Sequence, residues 1–518
     1  MKHRLKIFLL SLVLFVFPIL ACNLPIGPDA RRPAATATPD AAVQATQEAQ
    51  LFPFPTLAPA DPGVPGAPTP VDPGLAPLQP GQSPFGDLPY TYFTQPGDTL
   101  SAVAARFQVP PESITADEAF PEVGLIPAGH ALRMPEPFPP SAYPNALMPD
   151  SEVVYGPSAA DFDTAAYVAS AGGYLSTYKE MVDNATLSGA QIIQKVAVET
   201  STNPRLLLAV LEHQSGWVLG QPRNAQPQYP LGFSVGTHQG LARELSLAVR
   251  YLSQGYYGWR DGSMTELAFI NGNRVRISPQ LNAGTVAVQM LYTQLLDQPA
   301  WEQALYGGSG LVQTYTGMFG DPWERAARVG PIFPDGLQPP ELTLPFAPGQ
   351  AWSLTGGAHI AWGTGSPRGA IDLAPVTGEK ACAVSIAWAL AAAPGVVARS
   401  ERAGVALDLD MDGSEATGWV LFYYHMANHE RVKAGTVLEQ DERIGHPSCE
   451  GTRATGTHLH LARKYNGEWL PLDGMVPFVM SGWTAHAGQR VYEGFLIRGD
   501  QIVTAHPDGE RGALIIRD

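Results

Sequence analysis

The segment Thr457-His458-Leu459-His460-Leu461 constrains the fold more than any other stretch of this chain. Side chains at i and i+2 of a β-strand leave on the same face. The alternation therefore predicts a strand with His458 and His460 on one side and Leu459 and Leu461 on the other. Two imidazoles so placed can share one small ion or one bound water. The surrounding text has the same character from about residue 340 onward. Val405, Leu407 and Leu409 alternate with Ala406, Asp408 and Asp410, and residues 420–424 are a run of apolar and aromatic side chains. Gly and Pro punctuate these short runs, as in antiparallel sheet proteins. Residues 339–518 are accordingly expected to form a mainly antiparallel β domain.

A His-x-His pair alone is weak evidence for chemistry; its companions strengthen it. His359 closes Thr355-Gly356-Gly357-Ala358-His359, Asp372 follows thirteen residues later, and His425 ends the run Leu421-Phe422-Tyr423-Tyr424. Residues 351 to about 495 resemble the lysostaphin-type zinc endopeptidases. The closest branch is the beta-lytic, staphylolysin-like one, in which the ligand His precedes the ligand Asp by thirteen residues. The other branch places that His four residues before the Asp. Here the position holds Arg368, which stays protonated and cannot ligate a metal.

The resemblance implies one Zn2+ per chain held by His359, Asp372 and His460. His425 and His458 then stand where that family has its two non-ligand catalytic histidines, and the implied substrate is the peptide part of bacterial cell-wall peptidoglycan. The residue types suit that chemistry. Two His and one carboxylate leave the fourth tetrahedral position open for water, whereas a structural zinc site would close it with protein ligands. Zinc lowers the pKa of bound water and polarises a carbonyl. One histidine can move the proton and the other can hydrogen-bond the developing oxyanion. Tyr424 reads equally as an oxyanion donor or as a core tyrosine. The alternative function is a non-catalytic wall-binding scaffold or an activator of other cell-wall hydrolases; the complete ligand set favours the enzyme.

The rest of the chain divides into further segments. Lys2, His3, Arg4 and Lys6 precede an apolar stretch at residues 7–20, too short for a comfortable membrane span. It ends in Ile19-Leu20-Ala21-Cys22, which resembles a bacterial lipobox and implies that residues 1–22 are a lipoprotein signal peptide and that Cys22 carries lipid. The expected location is the envelope, exported and membrane-anchored through that lipid, facing the cell wall. Residues 23–88, rich in Pro, Ala and Thr, read as a disordered tether. In residues 89–136, Leu100, Val103, Ala104 and Phe107 mark a helical face. With Gly97-Asp98-Thr99-Leu100 and Ile126-Pro127-Ala128-Gly129 the segment resembles a LysM module, a small βααβ domain that binds N-acetylglucosamine-containing glycans.

Residues 137–160 are Pro-rich and read as a linker, and residues 161–338 read as an all-α domain. There Ser188 with Gln191 forms a capping box, and Asn203 caps a second helix with Pro204 at its first position. Further helices are expected around residues 241–252 and 286–296. The segment around Leu206 to Trp217 resembles lysozyme-like transglycosylases, whose catalytic Glu-Ser-Gly triplet reads Gln214-Ser215-Gly216 here. Gln has no titratable proton, and Glu212, two residues earlier, faces another side of the helix. A glycan-holding or spacer role is expected there, without catalysis.

Three cysteines are present. Lipid on Cys22 leaves Cys382 and Cys449, a pair that an oxidising compartment joins as a disulfide. Residues 408–413, Asp-Leu-Asp-Met-Asp-Gly, resemble the start of an EF-hand loop, but position twelve is Trp419, so a hairpin turn is expected. A net charge of −16 argues against nucleic acid as a partner. The expected partners are peptidoglycan and the membrane.

Overall fold

A computed structural model describes residues 90–135, 141–223, 226–233 and 235–518. The expected signal peptide, Cys22 and the tether through residue 88 lie outside the described residues.

The first described segment is a small unit in which β1 (Thr91–Phe93) pairs antiparallel with β2 (Ala131–Arg133), with Tyr92 opposite Leu132. Between them runs α1 (Leu100–Phe107), capped by the Thr99 hydroxyl, which accepts the Ala102 N–H. Tyr92, Leu100, Val103, Phe107, Ile126 and Leu132 form its own core. One element differs from the expected βααβ order: the second helix is a single 3₁₀ turn at Pro111–Ser113. Pro110 and Pro111 open that turn, at positions where a missing N–H is tolerated.

The middle region contains α2 (Thr164–Ala171), β3 (Lys179–Val182), β4 (Ala185–Ser188), α3 (Gly189–Thr200), α4 (Pro204–Ser215) and α5 (Leu241–Arg260). After them come β5 (Glu266–Ala268), β6 (Arg274–Arg276), α6 (Ala283–Thr293), α7 (Gln298–Tyr306), α8 (Leu311–Phe319) and α9 (Pro322–Val329). The Ser188–Gln191 capping box is present, and the Asn203 side chain accepts the Arg205 N–H with Pro204 opening the helix. The region is not all-α, because it carries two β-hairpins, β3–β4 and β5–β6. The first turns on Asp183 and Asn184, both left-handed at φ 49° and 66°, the conformation a tight two-residue hairpin turn requires. The expected linker is also corrected. Tyr143, Leu147, Met148, Val153 and Val154 are buried in the helical core. Asp150 accepts the Gly284 N–H at 2.7 Å and so caps the start of α6.

The C-terminal region is antiparallel β. Its strands are β7 (Ala351–Ile360), β8 (Arg368–Pro375), β9 (Ala389–Leu390), β10 (Gly395–Glu401), β11 (Gly404–Asp408), β12 (Trp419–Tyr424), β13 (Val437–Leu438) and β14 (Arg443–Gly445). They continue as β15 (Leu459–Tyr465), β16 (Glu468–Trp469), β17 (Val479–Met480), β18 (Trp483–Ala487), β19 (Gly494–Arg498), β20 (Gln501–Thr504) and β21 (Leu514–Ile516). The main sheet has the order β13-β10-β11-β12-β15-β8-β7-β21, with β16 added beside β15. A second sheet of four strands, β17 to β20, shares the core beneath it.

Strand alternation sends the side chains of the main sheet to two sides. Ile371, Leu373, Leu421, Leu459 and Leu461 face that shared core. Ala370, Phe422 and Ala462 face the other way and join the core of the helices. The boundary expected at residues 338–339 is therefore not a break in packing. Polar groups close the same junction. The Tyr256 hydroxyl donates to Glu468 Oε2 at 2.6 Å, and Asn466 Nδ2 donates to the Ile332 carbonyl at 2.8 Å. Among the described residues, no helix is long and apolar enough to cross a membrane.

Candidate metal centre

The three central strands set the site. His460 on β15 lies directly opposite Asp372 on β8, and Tyr424 on β12 lies opposite His460. Three side chains are thus placed abreast on one face by register alone. His359 enters from β7, whose pairing with β8 shifts around Gly356 and between Gly356 and His359. A Cβ on Gly356 would sit 2.5 Å from Asp372 Oδ2, so only glycine lets this strand pass the carboxylate. His425 follows Tyr424 and by strict alternation would face the opposite core. It has φ 64°, left-handed, and this turn at the strand end carries its ring to within 4.5 Å of the His458 ring. A non-glycine residue in that region is held there by its surroundings, and such positions cluster at functional sites.

All four histidines are anchored through one ring nitrogen to a backbone carbonyl. His359 Nδ1 meets Gly357 O at 2.8 Å, His460 Nε2 meets Ala361 O at 2.9 Å, His458 Nδ1 meets Gly456 O at 2.8 Å, and His425 Nδ1 meets Glu450 O at 2.8 Å. A carbonyl only accepts, so each of these nitrogens carries the ring proton and the other nitrogen is turned inward. This is the outer support that metal-ligating histidines have.

The inward atoms converge. His359 Nε2 lies 2.9 Å from His460 Nδ1 and 3.2 Å from Asp372 Oδ1. Asp372 Oδ1 is 3.5 Å from His460 Nδ1 and 3.5 Å from His458 Nε2. His359, Asp372 and His460 are all buried, and Asp372 Oδ1 has no aligned hydrogen-bond donor among the described residues. Two imidazole lone pairs and a buried carboxylate oxygen face one point, an arrangement that repels itself unless a cation lies between them. Donors around a tetrahedral zinc at its usual bond lengths stand about 3.4 Å apart. The residues fit that ion.

Burial alone would raise the Asp372 carboxyl, but the neighbouring His359, His458 and His460 hold it well below the usual carboxylate range. Burial, and then the neighbouring His458, push His425 down to about 4. His425 is therefore neutral near pH 7 and able to accept a proton.

Sequence reading did not single out Tyr492. Its ring stacks on that of His359, with centroids 4.5 Å apart, and its backbone exchanges hydrogen bonds with Gly357 and Ala358. It lies far along the chain in a loop with no motif, so no local signal marks it. The Tyr424 hydroxyl accepts the Thr452 N–H at 2.7 Å, which leaves its own proton to donate. Cys382 and Cys449 are joined as a disulfide. The helical region reaches the rim: a Cβ on Gly365 would lie 2.9 Å from the Arg250 carbonyl of α5. Asp408 accepts the N–H groups of Asp410 and Gly413, as a hairpin turn requires.

Fold and donor set together define a metallopeptidase-type site on an antiparallel sheet. Residues 146–332 match the family model described as "LasA, N-terminal domain". That match takes in most of the helical region, for which a lysozyme-like origin is expected from sequence, and part of the segment read as a linker. Protease LasA of Pseudomonas aeruginosa (strain UCBPP-PA14) is 29% identical over 354 residues, covering 64% of this chain and 77% of that protein. The beta-lytic metalloendopeptidase of Lysobacter enzymogenes is 28% identical over 148 residues, covering 27% of this chain and 76% of that protein. A solved structure, the M23 metalloprotease pseudoalterin, is 23% identical, covers 32% of this chain and 95% of that chain, and superposes with a TM-score of 0.27. The sequence relatives and the donor set make the chain a metalloendopeptidase.

Proposed function

We propose that this chain hydrolyses peptide cross-links of bacterial cell-wall peptidoglycan, with one zinc ion held by His359, Asp372 and His460. The observation that carries this reading is the convergence of those three donor atoms beside two further histidines whose outer nitrogens are already fixed. Bound there, zinc supplies Lewis acidity toward the scissile carbonyl and lowers the pKa of water toward neutrality. The chain's own groups hold and move the protons. His425, neutral at working pH, turns Nε2 inward as the candidate acceptor, and the same group can return the proton to the leaving amine. The Tyr424 hydroxyl stands on the same face as the candidate donor to the developing oxyanion, and His458 Nε2, turned inward like that of His425, is a second candidate proton acceptor.

The remaining segments place this enzyme. Residues 1–22 export the chain and Cys22 carries the lipid; residues 23–88 span the distance from the membrane; residues 89–136 act as a LysM module and hold glycan. The helical region, residues 161–338, holds or spaces and does not cut. Gln214 offers no titratable proton, and the Glu212 carboxylate is engaged as an acceptor by the Val218 and Leu219 N–H groups at 2.9 Å each.

The test is digestion of purified peptidoglycan by the full chain, with fragments identified by mass spectrometry. Conversion of cross-linked to uncross-linked stem peptides, abolished by a chelator and restored by zinc, is expected. A chain that binds the wall and leaves every peptide bond intact would refute the reading in favour of a non-catalytic scaffold.

A further inference from the structure

The peptidase reading leaves unassigned what sits beside the scissile bond. An open cavity of about 240 Å³ is lined by Pro375, residues 377–381 and Thr457. It belongs to the rim of the metal centre. Pro375 ends the strand that carries Asp372, and Thr457 immediately precedes His458. Its outer wall is braced twice. The disulfide from Cys382 to Cys449 ties the loop after β8 to the segment leading into His458. The Thr457 hydroxyl donates to the Ala383 carbonyl at 2.6 Å.

Two charged side chains line this cavity. Glu379 is engaged within its own loop, where it accepts the Thr377 hydroxyl and the Ile386 N–H, each at 2.7 Å. Lys380 is exposed and makes no ion pair among the described residues. An unpaired ammonium thus faces a braced polar cavity next to the candidate catalytic histidine, on a chain whose net charge is −16. Anionic groups are disfavoured over most of such a surface; in this lining Lys380 offsets the Glu379 charge and presents an ammonium without an ion-pair partner among the described residues.

We propose that the cavity is a substrate subsite for a residue bearing a free carboxylate next to the scissile bond, with Lys380 as the cation that recognises it. This rests on the peptidase reading and names its substrate class: peptide stems with ionised side-chain or terminal carboxylates, in preference to neutral glycine-like bridges. A carboxylate there makes a charge-assisted hydrogen bond that its amide cannot match.

The experiment compares the full chain and its Lys380→Ala, Lys380→Glu and Lys380→Arg variants. The substrates are a soluble cross-linked muropeptide dimer with free carboxylates and the same dimer converted to its carboxamides. The readout is kcat/KM from the release of new amino termini. Lys380→Ala should lower kcat/KM about tenfold on the carboxylate dimer and less than about twofold on the amide, Lys380→Glu more steeply, and Lys380→Arg should retain most of the activity. Wild-type cleavage of both dimers at equal rates, or equal losses on both in Lys380→Ala, would overturn the subsite while leaving the peptidase reading intact. Failure of the wild-type chain to cleave either dimer would overturn that reading and the subsite with it.

Discussion

Replacing Arg260 should loosen the joint on which the metal-binding strand depends. Its guanidinium lies 2.9 Å from Glu468 Oε1 and 2.7 Å from Asp150 Oδ2, and donates to the Pro96 carbonyl at 2.6 Å. The Arg260 side chain is 5% exposed and that of Glu468 0%, so water cannot take over when the cation is removed. In Arg260→Leu, Glu468 keeps only the Tyr256 hydroxyl, and a buried carboxylate is left without its counter-charge. Breaking one side of such a pair costs about 3–5 kcal/mol. The lost bond to the Pro96 carbonyl falls near the lower end of the range for a hydrogen bond to a charged group, about 1.5 kcal/mol. A destabilisation of about 5 kcal/mol is expected. The double variant Arg260→Leu/Glu468→Leu removes the orphaned charge and should recover at least about 2 kcal/mol of it. Glu468 sits on β16, paired to the end of β15 remote from His460, so amide exchange should rise along β15 and in the small unit that contains Pro96. Urea unfolding followed by tryptophan fluorescence, with hydrogen exchange read by mass spectrometry, measures both effects. A single variant within about 1 kcal/mol of wild type, or a double variant less stable than the single, would refute this account of the joint.

Metal analysis should separate two classes of histidine: His359→Ala, Asp372→Ala and His460→Ala lose zinc, whereas His425→Ala and His458→Ala keep most of it and lose about 10²–10⁴ in activity. Loss of zinc in His425→Ala with retention in His359→Ala would reverse the assignment. The disulfide closes a loop of 67 residues, so Cys382→Ser/Cys449→Ser should cost roughly 4 kcal/mol by denaturant titration. Burial raises the Glu415 carboxyl, but Lys464 and Arg399 outweigh it and hold the group down at about 2. A depressed folded-state value means stability present above the unfolded carboxylate value near 4.5 and lost as pH falls toward 2. The melting temperature should drop across that window, and Glu415→Gln, already less stable at about pH 7, should show a flatter profile. Glu212→Gln should leave the reducing ends released from peptidoglycan unchanged; a loss of reducing ends would assign glycan cleavage to the helical region.

The parts legible in the sequence are those that backbone geometry writes locally. Alternation alone placed His458 and His460 on one face of a strand, and the hydrogen-bonding needs of helix ends marked Ser188 with Gln191 and Asn203 with Pro204. The pairing of His359 with Asp372 was visible only through the resemblance to the beta-lytic branch, and the structure joins the two on adjacent antiparallel strands. What the sequence could not show depends on which distant segments share a face. The burial of residues 143–154 among the helices, the helical core that continues onto the outer face of the sheet, and Tyr492 stacked on His359 are contacts between segments far apart in the chain. The left-handed turn at His425 belongs to the same class: nothing in its neighbours requires it, and it persists because the Glu450 carbonyl and the packed ring of Tyr424 hold it. Periodicity is a property of one strand or helix, whereas the choice of packing partner is a property of the whole chain, and only the tertiary structure decides it.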